Sequence, residues 1–258
     1  MLIDEKIKEC EYAYTKCFSE FYEDEKIIRF RDNKIKDMYD HNFTFIKKQI
    51  DETKLIAIIE EEIPLRLIEK GDFCKFMFND YGITATLSNI NYKPEISLNG
   101  YYSFDISKFS KLKVNSNCEI KKVTFQKMLE NILAFELQLD EERLGRDFCT
   151  RKCNRRIEEY ISDKNINSYI CYQNGQIIGS CELFMNNGVA KIENFIVLPA
   201  FQRKGYGTTI LKALIDIAIS EVSKIIYLVT DEEDTAKEMY KKLGFSKTGE
   251  RTDLMFKL

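Results

Sequence analysis

The stretch that decides the fold is Val197-Leu-Pro-Ala-Phe-Gln-Arg-Lys-Gly-Tyr-Gly-Thr208, which is followed by an apolar run with helical spacing. Gly205 and Gly207 lie where an apolar strand gives way to that helix, directly after two basic residues. The first amides of a helix have no partners within it, and the helix dipole adds about half a positive charge at that end. Because glycine has no side chain, the backbone there can approach a bulky phosphate closely. The stretch therefore predicts a cradle for a pyrophosphate.

The residues around the cradle predict an α/β domain with a mixed sheet. Apolar residues alternate in the predicted strands and recur at helical spacing in the predicted helices. In chain order, the pattern predicts a strand at 119–125, helices at 124–138 and 146–162, strands at 168–172, 176–185 and 189–197, a helix at 208–220, a strand at 224–230, a helix at 234–243, and strands at 246–248 and 254–258. The cradle lacks the Gly-Lys-Ser/Thr of a Walker loop and the third glycine of the dinucleotide fingerprint.

The first half of the chain predicts a smaller α/β domain. Its pattern indicates a hairpin of strands at 12–22 and 26–31, helices at 42–50 and 52–62, the second ending before Pro64, and strands at 73–78 and 83–87. Residues 107–117 are polar and low in bulky side chains, so we expect the domain boundary there. We therefore predict an N-terminal domain at 1–112 and a second domain at 118–258.

Composition and charge favour a folded protein that does not bind nucleic acid or span a membrane. The 258 residues are 44% hydrophobic and 31% charged, as in a folded chain rather than a disordered one. The net charge of −3 argues against a surface that tracks nucleic acid. The amino terminus lacks a signal-peptide pattern, and no apolar run approaches the roughly 20 residues that span a bilayer. We expect a cytoplasmic protein that binds neither nucleic acid nor membranes, and we leave its oligomeric state open.

The cysteines and the single histidine predict no metal site. The eight cysteines have irregular spacings without a Cys-x-x-Cys pair, and one histidine in the whole chain offers little to complete a zinc site. We interpret the thiols as reduced and mostly buried. His41, beside Asp40 and Asn42, is interpreted as a surface residue at the start of a helix rather than as a catalyst.

Two segments in the second half resemble a known family. Residues 197–207 fit the pattern Val-x-Pro-x-x-Gln/Arg-x-x-Gly-x-Gly/Ala, which resembles the acyl-CoA motif of the GNAT superfamily of N-acetyltransferases. Downstream, Thr235-Ala-Lys-Glu-Met-Tyr-Lys-Lys-Leu-Gly-Phe245 resembles the later Ala-x-x-x-Tyr-x-x-x-Gly-Phe segment of that family. Both segments in this order, with a strand and a helix between them, are more specific than either alone. The resemblance covers roughly residues 118–258.

The resemblance implies a fold, a cofactor and its binding residues. In the GNAT fold, the strand before the cradle splays from its parallel neighbour, and the pantetheine arm of acetyl-CoA lies in the gap. This implies pantetheine contacts at Phe195, Ile196 and Val197. The implied contacts to the pyrophosphate are Gln202, Arg203, Lys204, Gly205, Tyr206, Gly207 and Thr208. The acceptor would be a small-molecule amine or a protein amino group.

Acyl transfer to an amine needs an acid and a base. The family resemblance implies that the hydroxyl of Tyr240 faces the sulfur. A phenol with a pKa of about 10 is a reasonable donor to a thiolate whose own pKa is about 8.5. A primary amine must lose a proton before it attacks, and a carboxylate is the usual base. Glu193 is the candidate because it alternates with Phe195 on the strand that leads to the cradle, and Glu182 on the neighbouring strand is its rival.

Several questions stay open from the sequence alone. The first half has no glycine cradle, so it is either a degenerate copy of the same fold, as in tandem GNAT proteins, or a different α/β domain. Two interpretations are open for its aromatic residues, which either line a cleft or pack in the core. These residues are Phe43, Phe45, Tyr101 and Tyr102. Glu233 stands where many family members have an asparagine that contacts pantetheine. The alternative to an enzyme is an acyl-CoA-binding sensor without catalysis, and a structural protein comes third.

Overall fold

The computed structural model describes residues 3–79, 93–115, 117–124, 126–162 and 165–258. Its first half contains α1 (Glu5–Phe18), β1 (Glu20–Glu23), β2 (Ile27–Arg31), β3 (Phe43–Ile46), α2 (Glu52–Ile68), β4 (Phe73–Asn79) and β5 (Glu95–Phe104). A short 3-10 segment, Ile106–Lys111, leads into the second half. This half contains β6 (Glu119–Lys122), α3 (Gln126–Leu144), α4 (Arg146–Ser162), β7 (Ile166–Gln173), β8 (Gln176–Asn186), β9 (Val189–Val197), α5 (Tyr206–Ser220), β10 (Ile225–Asp231), α6 (Ala236–Leu243) and β11 (Phe245–Lys257).

One mixed sheet runs through both halves of the described chain. Its strand order is β1-β2-β3-β4-β11-β5-β10-β9-β8-β7-β6. At the centre the halves interleave, because β11 pairs with β4 and β5, and β5 pairs with β11 and β10. The mixed α/β class predicted from the sequence is confirmed. The division into domains at 1–112 and 118–258 stays a prediction. Across that predicted boundary, β11 pairs with β4 and β5, and β5 pairs with β10.

The two halves repeat one succession of elements. In the first half, β3 and β4 are parallel neighbours joined through α2, and β5 follows. In the second half, β9 and β10 are parallel neighbours joined through α5, and β11 follows after α6. The last strands of the two halves then exchange places in the sheet. The strand β11 lies between β4 and β5, and β5 lies between β11 and β10. This repetition is what a degenerate copy of the same fold would produce.

Two predictions for the first half are wrong. Residues 12–18, predicted as strand, belong to the helix α1, which Asp4 caps by accepting a hydrogen bond from the Lys6 amide at 2.8 Å. Its buried apolar residues follow helical spacing, which the alternating aromatic residues concealed. Residues 42–50, predicted as helix, contain the strand β3, whose four residues are all buried between β2 and β4. Burial on both faces removes the alternation that marks a strand.

Two further elements extend beyond their predicted bounds. The helix α2 continues past Pro64 because Arg66 is buried and donates from Nε to the Phe73 carbonyl at 3.1 Å. The two short strands predicted at the carboxyl end are one strand, β11, with an irregularity between Lys247 and Gly249. The strand predicted at 83–87 lies outside the described residues.

The order of elements in the second half is confirmed. The predicted bounds of α4 and β9 match the structure, and α5 and α6 differ from their predicted bounds only at their first residues. The helix α3 continues to Leu144, beyond its predicted end at residue 138. The helix α5 packs on the sheet through Ile210, Leu211, Leu214 and Ile215, each 1% exposed or less. Burying one such side chain contributes about 1.5–3 kcal/mol, so this face fixes the helix whose first turn forms the cradle. None of the described helices is long and apolar enough to cross a membrane.

Candidate active site

The strands β9 and β10 separate partway along their length. They pair in parallel from Val189 and Ile225 as far as Ile192 and Leu228, and both strands then continue without pairing to each other. Just beyond the last pair, Asn194 has a φ of 49°, which turns the backbone away from the regular strand. On its other edge β9 still pairs with β8 as far as Val197. A gap therefore opens beside residues 193–197, which include Phe195, Ile196 and Val197.

The predicted cradle lies between the end of β9 and the start of α5. Gly205 is the N-cap, with a φ of 85° and without a side-chain hydrogen bond to the helix. A Cβ built on Gly205 would come no closer than 3.7 Å to its nearest neighbour, so the left-handed dihedral rather than crowding favours glycine. A Cβ on Gly207 would lie 3.4 Å from the Phe195 ring. The first turn of α5 is thus close to the strand edge that borders the gap.

Hydrogen bonds from outside the cradle hold its shape. The Asn115 side chain donates from Nδ2 to the Lys204 carbonyl at 2.8 Å, and the Asn115 amide donates to Thr209 Oγ1 at 2.6 Å. Gln202 donates from Nε2 to the Val197 carbonyl at 3.0 Å. Asn115 belongs to the segment that joins the two halves, and no sequence motif marked it.

A basic crevice adjoins the cradle. It has a volume of about 820 Å³, and Gly205 and Thr208 form part of its wall. Its lining contains Lys108, Lys111, Lys113, Lys204, Lys241 and Lys242, without a carboxylate among the described residues. Two of these lysines have nearby acidic partners: Lys241 lies 2.9 Å from Glu238, and Lys108 lies 3.8 Å from Asp105. The crevice is therefore an anion-attracting surface continuous with the cradle.

Tyr240 lies on α6 beside the gap. It is 7% exposed, and its ring centroid is 6.4 Å from that of Phe195 and 5.9 Å from that of Phe245. Burial, together with the negative charges of Asp234 and Glu193, raises the pKa of Tyr240 well above its ordinary value. Its hydroxyl has no hydrogen-bond partner among the described residues. The side chain is therefore a protonated donor at neutral pH.

The two candidate bases face each other across β8 and β9. Glu193 pairs in register with Glu182. Glu193 is partly exposed, and its Oε2 lies 2.8 Å from Lys191 Nζ. Lys191 also contacts Glu11 at 2.9 Å, so one lysine neutralises part of the charge of both carboxylates. Glu193 is thus part of a chain of ion pairs with Lys191 and Glu11 rather than an isolated carboxylate.

Glu182 is fully buried and held by four side chains. Arg156 contacts it from Nε at 2.8 Å, Tyr14 donates at 3.0 Å and Asn194 donates at 2.9 Å. Tyr160 also donates to it. Burial alone would raise the pKa of Glu182, but Arg156 and these donors lower it below its ordinary value. The carboxylate therefore anchors α1, α4 and the bulge at Asn194 to β8.

A cavity between the two halves opens beside Glu193. Its volume is about 250 Å³, and its lining comes from α1, the loop before β3, α4, and the strands β3, β4, β5, β9, β10 and β11. Glu193 and Asp231 lie on the β9 and β10 side. The other side carries the apolar residues Tyr12, Met38, Phe43, Phe45 and Met77. The cavity thus combines a charged wall near the gap with a wall from the first half that is largely apolar but includes Glu11, Asp40 and His41.

The four aromatic residues left open by the sequence divide between cavity and core. Phe43, Phe45 and Tyr101 line the cavity. Tyr102 points to the opposite face of β5, packs in the core of the second half and donates to Glu232 at 3.0 Å. Successive residues of a strand point to opposite faces, which explains why neighbouring tyrosines differ.

The surface interpretation of His41 is wrong. His41 is 5% exposed, lies just before β3 rather than at a helix start, and lines the cavity. Its Nδ1 is 3.0 Å from Asp32 Oδ2. Asp32 follows β2, and no local sequence pattern connects it with His41.

Sequence comparisons match the region that contains the cradle and Tyr240. Residues 132–245 match the acetyltransferase (GNAT) family model. The uncharacterized N-acetyltransferase CgeE of Bacillus subtilis (strain 168) is 35% identical over 113 residues, which are 42% of this chain and 43% of that protein. The spermidine N(1)-acetyltransferase of Escherichia coli (strain K12) is 31% identical over 97 residues, which are 36% of this chain and 52% of that protein. The chain thus spans about half the length of the curated relatives it matches.

Solved structures resemble the whole chain in fold. A functionally unknown conserved protein from Staphylococcus epidermidis superimposes with a TM-score of 0.79 at 19% identity, covering 93% of this chain and 94% of that one. A tandem GNAT protein from the clavulanic acid biosynthesis pathway superimposes with a TM-score of 0.57 at 9% identity, covering 89% of this chain and 77% of that one. The fold shared with the second protein agrees with the repeated succession of elements in the two halves.

Proposed function

We propose that the protein is an acetyl-CoA-dependent N-acetyltransferase, because residues 132–245 match the acetyltransferase (GNAT) family model. The observation that carries the proposal is the separation of β9 and β10 beyond Ile192 and Leu228, directly before the glycine-capped start of α5. This places an open strand edge next to a helix N-terminus, which suits an extended pantetheine arm that ends in a pyrophosphate.

The residues of the site fit this cosubstrate. Phe195, Ile196 and Val197 would hold the pantetheine arm, and residues 202–208 would hold the pyrophosphate. The adjoining lysines would attract the remaining phosphate of the coenzyme. When bound, acetyl-CoA supplies the thioester carbonyl that the amine attacks.

The reaction joins the acceptor nitrogen to the acetyl carbon and breaks the carbon–sulfur bond. The nitrogen loses a proton to a base, and the leaving sulfur gains one from an acid. We assign the acid role to Tyr240, because its raised pKa keeps it protonated and its ring packs on Phe195 at the gap. Glu193, the candidate base, lies on the wall between this gap and the cavity and is paired with Lys191.

We propose a small primary amine as the acceptor rather than a protein amino group. A cavity of about 250 Å³ between the two halves is sized for a small molecule. Its carboxylates Glu193 and Asp231 lie at the wall nearest the gap, where they would attract an ammonium group. The Escherichia coli spermidine N(1)-acetyltransferase, which is similar over part of this chain, has a small amine as its named substrate.

The second candidate function is a non-catalytic acyl-CoA-binding sensor. The pairing of both Glu193 and Glu182 with cations favours it, because both carboxylates then have a structural role as ion-pair partners. A sensor would keep the cradle and would not depend on Tyr240. Release of CoA in the presence of an amine separates the two functions.

Calorimetric titration with acetyl-CoA tests the binding site. We expect saturable binding by the wild type and its loss in Gly205→Glu, which places a carboxylate in the cradle. Gly188→Glu is the matched control, because Gly188 has a φ of 76° against 85° for Gly205 and likewise has room for a side chain. Equal losses in both variants, or no binding by folded wild type, would overturn the proposal. A screen of primary amines for CoA release then tests catalysis.

A further inference from the structure

The only histidine of the chain is held in a defined orientation on the cavity wall. His41 Nδ1 lies within hydrogen-bond distance of Asp32 Oδ2, at 3.0 Å. Its ring stacks on Phe18 with centroids 4.2 Å apart and planes at 19°. The hydrogen bond and the stacking together fix both the position and the plane of the imidazole.

Asp32 is held as a buried anion behind the ring. It is 2% exposed, its Oδ2 lies 2.9 Å from Arg155 Nε, and its Oδ1 accepts from the Lys34 amide at 3.1 Å. Burial alone would raise the pKa of Asp32, but the hydrogen bond with His41 and the charge of Arg155 lower it. An ionised Asp32 accepts the Nδ1 proton of a neutral imidazole. The lone pair of that imidazole is then on Nε2.

Nε2 is the ring atom left for the cavity. Among the described residues no hydrogen bond reaches it, although the His41 side chain is only 6% exposed. The same cavity is lined by Glu193 and Asn194 at the mouth of the β9 and β10 gap. A proton acceptor therefore lies on the wall that the first half contributes.

On the basis of the proposed function, we propose that His41, oriented by Asp32, is the general base that accepts a proton from the acceptor ammonium, directly or through one water. The proton moves from the ammonium nitrogen to Nε2, and the freed lone pair attacks the thioester carbonyl. Nδ1 keeps its proton in the hydrogen bond to Asp32. The imidazolium that forms is stabilised by the Asp32 carboxylate.

His41 suits this role better than the carboxylates of the second half. Glu193 is paired with Lys191 and Glu182 with Arg156, whereas no hydrogen bond from the described residues reaches Nε2. Other charged or titratable groups also face the cavity or the ring: Glu11, Tyr12, Tyr14, Asp40, Lys75, Tyr101, Arg155, Arg156, Lys191, Glu193, Asp231 and Arg251.

A long-range proton–nitrogen correlation spectrum of the wild type tests the tautomer without an activity assay. Because the chain has one histidine, a single imidazole spin system is expected. In the neutral form of the ring, we expect a proton on Nδ1 and none on Nε2. A neutral form protonated on Nε2 would overturn the proposal.

Transfer rates in His41→Asn test the catalytic role. The asparagine amide still donates towards Asp32, but the basic Nε2 is removed. With the best alkylamine from the screen, we expect the rate to fall by about 100-fold or more, the usual contribution of a general base. Hydroxylamine is neutral at neutral pH and needs no such base, so its rate should change little.

The outcomes separate this inference from the proposed function. Equal losses with both nucleophiles would indicate a structural role for His41, and unchanged rates with both would remove it from the reaction. A folded wild type that binds acetyl-CoA but transfers to no amine would instead contradict the proposed function. Acetyl-CoA binding by His41→Asn confirms that the variant is folded.

Discussion

The Asn115 side chain donates a hydrogen bond to the Lys204 carbonyl at 2.8 Å, which ties the segment between the two halves to the cradle. The same residue donates from its amide to Thr209 on the first turns of α5. The cradle is therefore shaped by a residue that lies outside its own motif.

The first prediction is that Asn115→Ala weakens acetyl-CoA binding without unfolding the protein. The lost side-chain hydrogen bond contributes about 0.5–1.5 kcal/mol, so the dissociation constant should rise by about twofold to tenfold. Calorimetric titration measures the change. Asn117→Ala, two residues along the same segment, is the control, and a similar loss in it would contradict a specific role for Asn115.

The second prediction is that Tyr240→Phe lowers turnover while acetyl-CoA binding is nearly kept. Removal of the hydroxyl leaves the thiolate without its proton donor, which costs about 100-fold to 10,000-fold in rate for a general acid. Steady-state assays of CoA release measure it. Tyr169→Phe removes another buried tyrosine hydroxyl away from the site and should leave the rate unchanged. A Tyr240→Phe variant with the wild-type rate would remove the acid assignment.

The third prediction concerns the basic crevice. Lys113→Glu should weaken the binding of CoA, because one cation that attracts phosphate is replaced by an anion. The dependence of this binding on salt concentration should not become steeper. The loss should be smaller for dephospho-CoA, which lacks the 3′-phosphate. Lys127→Glu on α3 is the control, because Lys127 is exposed and pairs with Glu130 at 3.2 Å. Equal losses for both ligands would show that the crevice does not bind that phosphate.

The fourth prediction is an acid-dependent loss of stability through Glu182. The pKa of Glu182 is lowered from its ordinary 4.5 in the folded state, so its contribution is present above that value and is lost as the pH falls through the lower folded pKa. Glu182→Gln removes one carboxylate from buried Arg156 and leaves Glu136 as its partner, so it should cost about 1–3 kcal/mol at neutral pH. Urea unfolding at neutral and acidic pH measures both effects. A pH dependence as steep in the variant as in the wild type would contradict the assignment.

Much of the second half could be predicted from the sequence, because its signals are local. The dihedral at Gly205, the helix start at Tyr206 and the hairpins between β7, β8 and β9 each depend on a few adjacent residues. The comparisons then found that residues 132–245 match the acetyltransferase (GNAT) family model, in agreement with the two motifs. The roles of Tyr240, Glu193 and the cradle residues stay predictions for the experiments above.

The first half was harder to predict because its pattern is set by tertiary contacts. The strand β3 reads as a helix in isolation, but it is buried between two neighbouring strands. The helix α1 carries alternating aromatic residues because it packs against the sheet and also lines the cavity. Local propensity is a weak guide where burial on several faces decides the conformation.

The sequence by itself determined the glycine-containing turn before α5, the order of the surrounding elements and the match to the GNAT family model, since each depends on short-range patterns of residues. Only the tertiary structure decided that β5 and β11 interleave, that a cavity forms between the halves, and that Asp32 meets His41. It also decided that the two candidate bases form ion pairs, Glu193 with Lys191 and Glu182 with Arg156. These relationships join residues far apart in the chain. Whether such groups meet depends on how the whole sheet closes, and no local pattern encodes it.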